Sequence, residues 1–164
     1  MNAMIGSSTI SSSTVRPLTP RKAIVWGGLV AGALDAVDGV IAFGTQGLNP
    51  IQVLQYIASG LLGKASFEGG IATVALGSAL HFLIAFVAAA VYVAAGRWIS
   101  SLKKQAVTFG LLYGAAVYFF MNYLVLPLSA VGPSPFKLGL FLNGVIGHAL
   151  FVGVPIAWFA RKAQ

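Results

Sequence analysis

The sequence predicts an all-α integral membrane protein, a bundle of four transmembrane helices with a short interfacial or re-entrant helix between the first and second. Three observations carry this. Of 164 residues, 58% are hydrophobic and only 8% charged, whereas a soluble domain carries roughly a quarter charged residues. Mean hydropathy is +0.89. The basic residues gather at the ends of long apolar runs, where membrane proteins keep them.

Residues 1–20 are rich in Ser and Thr and lack sustained apolar periodicity, so they read as a disordered tail. Residues 21–164 then form one transmembrane domain. Arg16, Arg21 and Lys22 precede a run long enough to span, which reads as a retained anchor and not a cleavable signal. The spans fall at about 23–43, 69–96, 105–126 and 138–160, the third ended by Pro127. Each supplies roughly the 20 residues that cross about 30 Å of hydrocarbon. Short linkers predict antiparallel neighbours for consecutive spans. The exception is the stretch after the first span, where Asn49 and Pro50 signal a helix start and Gly63 a stop. A helix over about 50–62 is too short to cross and suits the interface or a partial dip. Its Tyr56 is expected as a headgroup anchor.

Topology follows from the bases. With the N-terminus inside, eight bases (Arg16, Arg21, Lys22, Arg97, Lys103, Lys104, Arg161, Lys162) lie on the inner side and two, Lys64 and Lys137, on the outer. Trp98 and Trp158 fall near inner ends, where aromatic rings anchor. Both termini are expected in the cytoplasm.

Each span has a face of small and polar residues. Asp35 and Asp38 share a face of the first with Gly28, Ala31, Gly39 and Ala42, opposite Trp26, Leu29, Val30, Val37 and Val40. In the second, Gly77, Ser78, Ala85, Ala88 and Tyr92 accompany His81. In the third, Gly110, Gly114, Tyr118 and Asn122 recur at steps of four. In the fourth, Gly144, Val152 and Pro155 flank His148, and Asn143 points elsewhere.

Depth ties these faces together. Asp35 and Asp38 lie 13 and 16 residues from Lys22, His81 lies 16 from Arg97, and His148 lies 13 from Arg161. Tyr118 and Asn122 lie 14 and 18 from Lys104. All six therefore sit roughly 20–27 Å from the inner boundary, which points to one layer. Ionised groups at membrane depth usually face protein or water and mark function. Three readings stay open. The layer is a proton or ion path, since Asp and His are the usual relay groups. It is a structural knot that fixes helix register. Or it is a metal site using Asp35, Asp38, His81 and His148.

Other function classes are disfavoured. No Walker, Rossmann, HExxH or G-x-S-x-G pattern occurs, so no enzyme and no cofactor are expected. The absence of cysteine excludes disulfides and thiolate ligands. A net charge of +7 does not imply nucleic acid, because the bases flank spans and form no basic face. The expected partners are the lipid bilayer and further copies of the chain. Gly28-x-x-x-Gly32 matches a helix-dimer pattern, although packing within the chain is the favoured use.

Four short stretches, Gly110-Leu-Leu-Tyr-Gly114, Leu126-Pro-Leu128, Gly132-Pro-Ser-Pro135 and Gly147-His148, resemble the YagU-like family. These are small bacterial inner-membrane proteins of unknown mechanism associated with survival in acid. The resemblance is confined to the C-terminal half and touches His148. It implies a bacterial plasma-membrane protein and agrees with a proton-linked role.

Overall fold

The computed structural model describes residues 17–133 and 135–163, so most of the expected N-terminal tail lies outside the described residues. The chain is an all-α bundle with helices α1 (Pro20–Gly44), α2 (Pro50–Leu62), α3 (Gly70–Ala95), α4 (Ala106–Leu128) and α5 (Leu138–Arg161). All but α2 are long and apolar enough to cross a membrane. Among the described residues there is no β-strand, only an isolated bridge between Leu18 and Ala163.

Local chemistry sets the helix ends. The Thr19 hydroxyl accepts from the Lys22 N–H at 3.3 Å, and Pro20 opens α1 with a φ already helical. Asn49 and Gln52 form a reciprocal capping box at 3.0 Å each, followed by Pro50. Gly63, at φ +60°, stops α2 in a backbone conformation that other residues rarely adopt.

Pro127 does not end its span, because α4 continues to Leu128. The reason lies just before it. Met121–Val125 forms a π-helical segment, and a wider turn relieves the clash between a proline ring and the carbonyl four residues back. The same device precedes Pro155, where His148–Gly153 is π-helical. Asn122 and His148 both sit on these widened turns.

The two ends of the bundle are distinct. At one, the Leu18 N–H donates to the Lys162 carbonyl and the Lys103 ammonium to the Ala163 carbonyl, each at 2.9 Å. This terminal end thus gathers the start of α1, the α3–α4 connection and the residues that follow α5 up to Ala163. At the other, Lys137 donates to the Gln46 side chain at 2.8 Å and the Ala130 N–H to the Gly60 carbonyl at 3.0 Å. We call this the loop end.

Glycine permits the close crossings. Gly28 lies under the Phe86 ring and Gly32 under Phe82 and Ala85, so both halves of the dimer-like pattern pack within the chain. Gly77 meets the Leu54 carbonyl of α2. Gly114 meets the His148 carbonyl, Gly110 approaches Gly153, and Gly144 lies beneath the Tyr118 ring.

Consecutive spans α3 and α4 are not packed backbone to backbone. They are bridged by tyrosines: Tyr113 donates to the Ala88 carbonyl at 2.8 Å, and the Tyr92 and Tyr113 rings stand 4.9 Å apart. Toward the terminal end this gap is filled by Tyr92 with Ala89, Ile156 and Ala157, all buried. Toward the loop end it stays open. The short helix α2 docks on α3, with buried Gln55 donating to the Thr73 hydroxyl at 3.3 Å. Tyr56 packs on Phe43 with ring centroids 5.5 Å apart and lines the opening.

Candidate functional site

The opening between the helices is a cleft of about 1290 Å³. It runs from Gln46 and Lys137 at the loop end to Asp35, His81, His148 and Tyr118. Every long helix contributes to its wall, and α2 forms one side. Val40, expected on the lipid face of the first span, lines it too. Beneath lies a second cavity of about 130 Å³, lined by Asp35, His81 and His148 among apolar residues. That is room for a few water molecules, with enough polar groups to hold them.

The side chains at the base are placed by three helices. Asp35 on α1 faces His148 on α5, with Oδ1 and Nδ1 3.5 Å apart and each side chain about a fifth exposed. This is ion-pair distance for a protonated imidazole and longer than a good hydrogen bond. The Tyr118 ring stands edge-on to the His148 ring with centroids 5.5 Å apart, which restricts the imidazole's tilt. The His148 backbone, pressed against Gly114, anchors the same side chain from below.

One turn along α1, Asp38 accepts a hydrogen bond from the Asn143 amide at 2.9 Å. Asn143 was expected to point away from the site. The expectation failed because α5 has two neighbours and therefore two inward stripes. Gly144 faces α4 and Asn143 and Gly147 face α1, while His148 lies between them, its backbone against α4 and its ring reaching Asp35 on α1. Gly147 lies directly against the Asp38 carboxylate, where a side chain would collide. The i, i+4 step from Asn143 to Gly147 was the available signal.

His81 goes to neither acid. Its Nε2 lies 2.8 Å from the Gly32 carbonyl, which only accepts, so Nε2 carries the hydrogen. Asn122 donates to the Tyr118 carbonyl one turn back at 3.0 Å, although it too lines the cleft. The structure thus brings together Asp35, His148 and Tyr118, and separately Asp38 and Asn143. His81 shares their cavity without touching an acid, and Asn122 bonds locally.

No protein-family model, curated protein or solved structure matches the chain. The site is therefore interpreted from its own chemistry. Among the described residues no three His, Asp or Glu side chains converge as metal ligands. Asp35, Asp38, His81 and His148 are not gathered into a single ligand set, and His81 Nε2 is already engaged by a carbonyl. What the arrangement offers is a titratable pair, Asp35 and His148, reached from one end of the bundle and backed by close packing at the other.

Proposed function

We propose that this is a non-enzymatic bacterial inner-membrane protein that handles protons or small ions at Asp35 and His148. The observation that carries the reading is the cleft from the loop end to an acid–imidazole pair at membrane depth. A carboxylate and an imidazole at ion-pair distance can exchange a proton with water in the cleft. The small cavity beside His81 would extend such water toward the closely packed terminal end. The resemblance to the YagU-like family, with its association with acid survival, supports the same direction. Assembly with further copies, also proposed, would use lipid-facing surface, since Gly28 and Gly32 are occupied within the chain. The competing reading is that these groups only fix helix packing, which the Asn143–Asp38 and His81–Gly32 contacts favour.

Purified protein in liposomes loaded with a pH-sensitive dye tests the proposal. After an external acid step, the dye is expected to respond faster than in protein-free vesicles. Rates no faster than those of protein-free vesicles, under proton, sodium and potassium gradients alike, would overturn it.

The proposed orientation puts the terminal end in the cytoplasm, a reading supported by the basic residues gathered there. A reporter active only in the cytoplasm should work when fused after Gln164 and fail when inserted beside Gly47. Activity at Gly47 and silence after Gln164 would reverse the orientation.

A further inference from the structure

A path for protons or bare ions needs a file of waters. The cleft, at about 1290 Å³, exceeds the roughly 300–1,000 Å³ that suffices for a drug-sized ligand. Its walls are mostly aliphatic, with aromatic rings set among them, including those of Phe43, Tyr56, Tyr118, Tyr123, Phe136 and Phe141. Its charged groups at depth are two carboxylates. Among the described residues the one ion-pair contact to either acid is that of His148 with Asp35. Asp38 has a neutral partner, the Asn143 amide, and no Lys or Arg within ion-pair distance. Lys137 stands at the exposed mouth, donating to Gln46, where water and salt screen its charge.

An acid held at membrane depth without a cationic side chain is costly, and a bound cation would offset that cost. Aromatic faces favour the same charge and also accept an apolar body. We infer that the cleft is a binding site for a monovalent organic cation with an apolar or aromatic body, its charge set beside Asp38. This deepens the proposal above by naming a ligand class for the same site. Asp35 and His148, one helical turn deeper, would then hold the proton whose arrival or departure accompanies the cation.

Gly39 provides a test independent of the acids. It lines the cleft, and a Cβ built there meets no atom within 4 Å. Gly39→Leu should therefore fold normally, since Leu is the better helix former, and occupy part of the cleft.

The experiment is equilibrium dialysis of tetraphenylphosphonium against purified protein in detergent, with detergent alone as blank. Wild type is expected to bind saturably, with triphenylphosphine oxide, a neutral analogue, competing at least tenfold less well. Asp38→Asn and Gly39→Leu, both checked for a wild-type elution volume, should each weaken binding at least tenfold. Absence of saturable binding, equal competition by the neutral analogue, or wild-type binding by Gly39→Leu would overturn the inference. Failure here with a normal dye response in liposomes leaves the proton reading standing. Saturable, Asp38-dependent binding without any dye response supports the cation site and ends the proton reading.

Discussion

Gly114→Leu is expected to lower the Tm of the purified protein by about 10 °C or to prevent its folding. A Cβ at Gly114 would run into the His148 carbonyl and approach the Ala149 Cα to 2.7 Å. Both atoms belong to backbone, so no rotamer change relieves the clash. Either α4 retreats from α5 or the π-helical turn at His148–Gly153 is rebuilt. Overpacking of this kind costs about 1–3 kcal/mol when neighbours can adjust and more when they cannot. For a chain of this size each kilocalorie moves Tm by roughly 2–4 °C. Gly139→Ala is the control. It lies in the same bundle with nothing within 4 Å of an added Cβ, so it should be neutral or gain up to about 1 kcal/mol. Intrinsic Trp fluorescence on heating reads both. A Tm for Gly114→Leu within a degree or two of wild type would mean that α4 and α5 do not cross here.

The second large effect is on function. Asp35→Asn should reduce the dye response in liposomes at least tenfold while Tm stays close to wild type. Asn keeps the shape of Asp and much of its hydrogen bonding but takes up no proton in this range. His148→Ala should also reduce the response, and it should lower Tm. It removes the ring that Tyr118 packs against and leaves Asp35 without its ion-pair partner. Leaving a partly buried charge unpaired costs about 1–3 kcal/mol. The double variant separates the roles. If Asp35 and His148 act as a pair, adding Asp35→Asn to His148→Ala should restore part of the lost stability, because no uncompensated carboxylate remains. Its dye response should stay low. A wild-type response from Asp35→Asn would reduce the pair to a packing contact.

The sequence was sufficient for the long helices and for their small-residue faces. Apolar runs bounded by bases leave no other stable solution, since backbone polar groups in lipid must be satisfied within the segment. Glycines at steps of four, such as Gly110 and Gly114, mark a close crossing, because only hydrogen leaves room for a facing backbone. Capping chemistry at Asn49 and Pro50 fixed the start of α2 for equally local reasons. Asp35, His148 and Tyr118 could be grouped by depth alone, and they do meet.

What depth did not supply was azimuth. His81 sits at the expected level but turns to the Gly32 carbonyl, since the direction of an imidazole depends on which neighbour packs beside it. Asn143 was misassigned because a single helical wheel has one centre, whereas a helix wedged between α1 and α4 has two buried stripes. The prolines show the same division. Residue type marks Pro127 as the end of a span and leaves Pro155 inside one, but the π turn that precedes each proline depends on the partner helix held against it. The cleft is furthest from the sequence. It exists because α3 and α4, joined by a short connection, are bridged by tyrosines at one end and left apart at the other. Periodicity and charge determine which residues enter the bundle and how deep they lie. The distance between non-consecutive helices, and therefore any space among them, is decided by side chains meeting across the fold.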